Sequence, residues 1–215
     1  MPDETITTDI LIIGGGAAGL MAGIRAREES PDVTVTILEK AHVARSGCLA
    51  MGLNAINLHL GDQSSDEYVE YVTNDNYGVV RGDLLHSIAE HVDRMADKLA
   101  SFGVPFPPSR EGTLFKRSRR SVVMHGERLK PLLAAEARRR KIRIINHTPV
   151  YELLYGEDGG VNGAVGLGLH SGEKLRVAAK ATLVATGGAA GIYRPSTPGA
   201  RNKTWYCPFN AGGGL

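Results

Sequence analysis

Apolar and polar positions change period several times along this 215-residue chain. An unbroken apolar run, Ile10 to Ile13, predicts a buried strand over residues 9–13. Small and apolar residues at helical spacing then predict a helix over 17–29. Alternating β-branched residues predict a second strand over 33–38. A glycine- and alanine-rich stretch follows from Arg45 to Leu60. Between 64 and 102, Leu84, Ile88, Val92, Met95, Leu99 and Phe102 recur at helical spacing, so that region reads as mostly helical, with Gly103 as a C-cap. Pro105, Pro107 and Pro108 enforce a loop. Another helix is expected over 127–140, its last turn carrying Arg138, Arg139 and Arg140, where cations meet the negative end of the helix dipole. From Ile142 onward the pattern alternates, predicting strands over 150–154, 161–169 and 175–178. Turns are expected at Gly156, Gly159, Gly160 and Ser171-Gly172. A last apolar strand, 181–186, ends in Gly187-Gly188. The order is β-α-β, helices, a three-strand antiparallel meander, then one more buried strand. That is an α/β chain.

Composition sharpens this picture at one point. With 42% hydrophobic and 22% charged residues, the chain is an ordinary globular one, not a disordered or collagen-like polymer. Glycine is the outlier: 27 residues, where a composition near ~7% is usual. Gly14, Gly16 and Gly19 spell G-x-G-x-x-G between the first strand and the first helix, with Gly15, Ala17 and Ala18 between them. In that setting Gly14 makes the tight turn, Gly16 lets backbone approach a pyrophosphate, and Gly19 lets helix and strand pack closely. The helix N-terminus stabilises phosphate charge. Glu39, at the end of the second strand, is placed to accept hydrogen bonds from an adenosine ribose. FAD and NAD share this fingerprint. The continuation separates them: Lys40–Asn57, with Arg45-Ser46-Gly47-Cys48, is not another β-α-β unit, and the meander leads to Ala185-Thr186-Gly187-Gly188 at a strand end. Glycines in that position let backbone lie against a flavin, so the paired motifs favour FAD.

Further segments join these: Gly52-Leu53-Asn54-Ala55-Ile56-Asn57, Asn74-Asp75, and Gly126-Glu127 followed by Lys130-Pro131. Then come Ala185–Ala189, Tyr193-Arg194-Pro195, and Trp205-Tyr206 before Asn210-Ala211-Gly212. On these residues essentially the whole chain resembles the flavoprotein subunit of the fumarate reductase and succinate dehydrogenase family, within it most of all the adenylylsulfate reductase alpha-subunit branch. The resemblance implies an FAD-binding doubly wound α/β domain, a glutathione-reductase-like Rossmann fold with an antiparallel β-meander, incomplete at the C-terminus. Residues 1–215 would be its N-terminal part, with a capping domain and the second half beyond. The implied FAD-binding residues are Gly14, Gly16, Ala17, Ala18, Gly19, Glu39, Lys40, Arg45, Ser46, Gly47, Gly52, Asn57, Thr186, Gly187 and Gly188. Asn57 would lie near the isoalloxazine. Members that bind FAD covalently have a histidine directly after the Arg-Ser pair. Here that position is Gly47, so the cofactor is expected to be non-covalent. The resemblance further implies two-electron redox of a small anionic substrate at flavin N5, either adenylylsulfate/sulfite or fumarate/succinate. Cys48, Met51 and residues 199–203 depart from the adenylylsulfate reductase pattern and bear on the substrate, not the cofactor. No residue is assigned as proton donor, and a portion of this extent is expected to be inactive alone.

The remaining features set limits. Two cysteines cannot hold a four-cysteine zinc site or an iron–sulfur cluster, so electrons would pass through a separate iron–sulfur, ferredoxin-like subunit. None of the seven histidines has metal-ligand spacing, and no metal is expected. Formal charge is +2, and the basic clusters Lys116-Arg117, Arg119-Arg120 and 138–141 lack interleaved aromatics, which disfavours nucleic acid. They suit solvated faces, an acidic docking partner or an anionic substrate. The polar N-terminus has no signal-peptide pattern and no apolar run spans a bilayer. A cytoplasmic location is expected, peripheral to a membrane only through a partner. The competing function is a non-catalytic nucleotide-binding scaffold.

Overall fold

The computed structural model describes residues 4–58, 64–118, 120–189 and 212–214. In chain order its elements are β1 (Glu4–Ile13), α1 (Ala17–Glu29), β2 (Val35–Leu38), β3 (Ala55–Asn57), α2 (Ser65–Asp75), α3 (Gly82–Ala89) and α4 (Met95–Ser101). Then follow β4 (Lys116–Ser118), β5 (Ser121–Val123), α5 (Leu129–Arg139), β6 (Arg143–Ile145), β7 (Val150–Tyr155), β8 (Val161–Leu167) and β9 (Lys174–Val184). Short 3-10 turns occupy Cys48–Met51 and Val92–Arg94. The elements form two units, one made of the chain up to Gly52 and from Leu129 onward, the other of Leu53–Arg128.

The first unit is built on a six-stranded sheet in the order β6-β2-β1-β9-β8-β7. β6, β2, β1 and β9 run parallel, while β9, β8 and β7 form the antiparallel meander. Parallel pairing of β1 and β2 requires a crossover, which α1 supplies. Leu20 and Ile24 of α1 are fully buried, as are Ile12 and Ile37 of the sheet. A Cβ at Gly23 would lie 3.2 Å from Ile142 Cδ1 and 3.3 Å from Ile12 Cδ1, so its missing side chain brings α1 close to the strands. A second apolar cluster joins Ile6, Leu11, Ile13 and Leu38 to Ala164, Leu175, Val177 and Ala179. It ties the meander to the parallel strands.

Here the structure corrects the sequence pattern. The strands expected over 175–178 and 181–186 are one strand, β9, and β1 reaches back from Asp9 to Glu4 to match it, from Glu4 opposite Leu175 to Ile13 opposite Val184. Lys180 falls in the gap between the two expected strands. It instead sits within the strand, its ammonium 2.6 Å from Asp9 of β1 with the side chain still exposed. Hydrogen bonds from Lys180 and Thr34 hold the Asp9 carboxyl well below the usual carboxylate range. The end of β9 is also less buried than expected: Leu183 and Val184 are 41% and 52% exposed.

The second unit holds the small antiparallel sheet β3-β5-β4 and helices α2, α3 and α4. That sheet was not foreseen, because strands of three residues are too short to show alternation. The helical region is broken at Tyr77 and Gly78, both in left-handed conformation, and again at the 3-10 turn. Within α3 the expected stripe is off by one position, whereas Leu99 of α4 is buried as expected. Leu85 and Ala89 are buried, while Leu84 and Ile88 are about half exposed. Gly103, at φ +90°, follows α4 as the C-cap pattern predicts.

Candidate functional site

The end of β1 and the start of α1 form the glycine loop. Gly14 has φ +105°, and a Cβ there would lie 2.4 Å from the Ala185 carbonyl oxygen, so both backbone conformation and space demand glycine. The loop is fastened to its neighbours on both sides: Gly14 N–H donates to Leu38 O at 2.8 Å, and Ala185 N–H donates to Ile13 O at 2.8 Å. A Cβ at Gly19 would lie 2.0 Å from the Gly14 carbonyl oxygen, so only glycine lets α1 approach its own entry loop. Gly16, by contrast, faces open space. It is the N-cap of α1, with no side-chain cap and no acidic residue in the first turn. The first amides of α1 are therefore left for an external anion.

These residues border a cavity of about 470 Å³ at the carboxyl ends of β1, β2 and β9. Its walls include Gly14, Gly16, Ala17 and Ala18 of the loop, Glu39 and Lys40 after β2, Gly47, and Thr186 and Gly187 after β9. Of the expected site residues, those nine come together in one place. Gly19 sits behind them in its packing role. Ser46 is buried, and its hydroxyl has no hydrogen-bond partner among the described residues. Neighbouring Gly47 comes so close to the loop that a Cβ on it would lie 3.8 Å from Gly16 Cα. Arg45, Gly52 and Gly188 do not line the cavity: Arg45 is exposed, Gly52 ends a 3-10 turn, and a Cβ on Gly188 would meet only open space. Asn57 lies on β3 of the second unit, opposite Ser121. The motif residues Tyr193, Arg194, Pro195, Trp205, Tyr206, Asn210 and Ala211, and Arg119 of the basic clusters, lie outside the described residues.

Glu39 does more than expected. It is buried, its Oε2 accepts the Gly15 N–H at 2.8 Å, and its Oε1 accepts the Ala41 N–H at 2.9 Å. A carboxylate offers about four lone-pair sites, so it retains acceptor capacity toward the cavity. Sequence reasoning missed Thr148, Pro149 and Val150, which line the cavity after β6; Cys48, Leu49, Gly213 and Gly214 line it as well. The usable signal was positional, since ligands of parallel sheets gather where strands end. It also missed Lys130 as part of this region. Lys130 lies on α5 in register with buried Leu133, Ala134 and Ala137, is 1% exposed, and donates to the Gly15 carbonyl oxygen. Burial pushes its ammonium down to about 8, against the opposing pull of Glu39. A lone cation on an apolar helical stripe was the available clue.

A strand–glycine loop–helix crossover, an acidic residue closing the next strand and a cavity at the strand ends define a dinucleotide-binding domain. The chain belongs to the FAD binding domain family, whose model matches residues 9–215. It is 32% identical to the alpha subunit of adenylylsulfate reductase from Megalodesulfovibrio gigas, over 96% of this chain and 35% of that protein. It is also 32% identical to a CoM/CoB fumarate reductase subunit of Methanothermobacter marburgensis, over 94% of this chain and 39% of that protein. Among solved structures, adenylylsulfate reductase from Archaeoglobus fulgidus superposes with a TM-score of 0.87 at 35% identity, covering 99% of this chain and 35% of that one. The chain thus spans little more than a third of the length of these relatives. The cofactor indicated by family and relatives is FAD. The residues present fit it: an uncapped helix N-terminus and an open Gly16 lie at the cavity, and Ser46, whose hydroxyl has no partner among the described residues, directly precedes cavity-lining Gly47 in the chain. Among the described residues no helix is long and apolar enough to cross a membrane.

Proposed function

We propose that this chain is the FAD-binding N-terminal portion of a flavoprotein subunit that performs two-electron redox on a small anionic substrate. The observation that carries the reading is the cavity itself, where the glycine loop, Glu39, Gly47 and the Thr186-Gly187 strand end meet. Bound there, FAD supplies the redox chemistry, and the protein supplies position and electrostatics. The amides of residues 16–18 and the α1 dipole hold the diphosphate. Glu39 takes ribose hydroxyls while its other lone pairs keep the loop in shape. Ser46 gains a partner on binding, and Gly47 offers no side chain to attack the flavin, which keeps the cofactor non-covalent.

The first substrate reading is adenylylsulfate/sulfite, supported by 35% identity and near-complete superposition on a solved adenylylsulfate reductase. The second, fumarate/succinate, is supported by the 32% identity to the CoM/CoB fumarate reductase subunit. Substrate-binding groups, proton donor and capping domain belong to the part of such a subunit beyond residue 215. Electrons are exchanged with a separate iron–sulfur subunit, a reading supported by relatives that are themselves named as subunits of larger reductases. Lys116, Arg117 and Arg120 offer that partner a basic face. A cytoplasmic setting suits two cysteines 159 positions apart in sequence, read as reduced thiols.

The test is a flavin spectrum of the complete holoprotein. Bleaching by micromolar sulfite, with AMP-dependent reduction of an acceptor, is the expected result for the first reading. Reduction by succinate instead selects the second. Colourless protein that binds NAD and not FAD refutes both and leaves the scaffold reading.

A further inference from the structure

Lys130 is the largest fully buried side chain among the described residues, and it is a cation. Removing an ammonium from water is costly unless something gains from it. What it touches is the glycine loop: its Nζ donates to the Gly15 carbonyl oxygen. On the other side of the same residue, the Gly15 N–H is held by Glu39 Oε2 at 2.8 Å. A cation on the carbonyl and an anion on the amide thus pin Gly15 from both ends. Gly15 itself is turned away from the cavity, since a Cβ on it would meet Val43 at 2.8 Å and Glu39 Oε2 at 3.0 Å, whereas Gly14 and Gly16 line the cavity.

The geometry of a peptide bond gives this arrangement a consequence. Gly15 C=O and Gly16 N–H belong to one planar trans unit and point in opposite directions. Holding the oxygen on Lys130 therefore aims the Gly16 N–H the other way, and a charge on the carbonyl polarises that N–H as a donor. We propose that Lys130 is a positioning residue of the anion site, fixing the Gly15–Gly16 peptide so that the cavity prefers a nucleoside diphosphate to the uncharged nucleoside. The role rests on the FAD reading of the same cavity. Lys130 does not touch the ligand; it acts through Gly15, in partnership with Glu39.

The experiment compares the full protein, stripped of flavin, with Lys130→Met and Lys130→Gln, measuring dissociation constants for FAD, ADP and adenosine. Lys130→Met removes both charge and donor. It is expected to weaken FAD and ADP by about tenfold or more and adenosine by less than about twofold. Lys130→Gln retains a donor for Gly15 O and should recover part of the ADP preference. Equal weakening of ADP and adenosine, or no change in either, overturns the proposal and leaves Lys130 a purely structural residue. Should both variants fail to fold, the unsubstituted protein decides through NMR of 13C-labelled lysine. ADP should raise the Lys130 titration midpoint and adenosine should leave it unmoved; identical responses to the two ligands overturn the proposal. If the unsubstituted protein binds neither FAD nor ADP, the flavin reading itself falls, and this role with it.

Discussion

A single methyl group distinguishes the glycines of the entry loop. At Gly19 it would sit 2.0 Å from the Gly14 carbonyl oxygen, and that oxygen is backbone with no freedom to swing aside. Gly19→Ala is expected to cost about 1–3 kcal/mol of stability by overpacking, seen as a lower denaturant midpoint. At Gly16 the same methyl meets no protein atom within contact range. Gly16→Ala should therefore cost at most about 1 kcal/mol, as a poorer N-cap, while FAD affinity falls because the methyl occupies the anion's approach. An unchanged FAD dissociation constant in Gly16→Ala would argue against a diphosphate at this loop. Lys130 yields a pH prediction from its lowered midpoint of about 8 against an ordinary 10.5. Between these values the unfolded chain holds more protons than the folded one, so stability from this group rises with pH across the window. Below pH 8 the full burial penalty remains. The stability of the unsubstituted protein minus that of Lys130→Met should accordingly increase from pH 8 to 10, and a flat difference would refute the assignment.

At the scale of elements, what is legible in the sequence is what is encoded locally. The crossover β1-α1-β2 is announced by an apolar run, a glycine loop and a helical stretch within a few dozen residues, and α1 spans Ala17–Glu29 as its pattern predicts. The continuity of β9 is not announced, because Lys180 makes sense in a strand only once Asp9, from the opposite end of the chain, stands beside it. The small sheet β3-β5-β4 escapes for a different reason: its strands are short, and β3 pairs with a strand far from it in sequence. Breaks within the helical region rest on left-handed Tyr77 and Gly78. Gly78 is a readable signal, but a tyrosine in that conformation is not. Within α2 the start is encoded by a capping box, in which Ser64 Oγ accepts the Glu67 N–H and the Glu67 carboxylate accepts the Ser64 N–H, both at 3.1 Å. Ser64→Ala should lower stability by about 1 kcal/mol, measured by chemical denaturation, with FAD affinity untouched.

Across the molecule, the candidate site was legible as a motif but not as a neighbourhood. The glycine loop, Glu39 and the Thr186-Gly187 strand end carry a recognisable chemistry and do meet at one cavity. Thr148 and Pro149 carry no motif, and Lys130 belongs to a family segment that does not itself reveal a place at the cavity; only the parallel order β6-β2-β1-β9 and the packing of α5 bring them there. Arg45, Gly52 and Gly188 show the converse, since they belong to motif segments without lining the cavity. Gly47 stands between the two cases: it has no reactive side chain, and it lies against Gly16 at the cavity wall. The central claim, that this domain holds FAD without a covalent bond, can be tested by heat-denaturing the purified holoprotein, removing the precipitate and identifying the flavin in solution. Equimolar FAD in a yellow supernatant above a colourless pellet is the predicted result. Colour that stays with the precipitated protein, or a protein that carries no flavin at all, would contradict it.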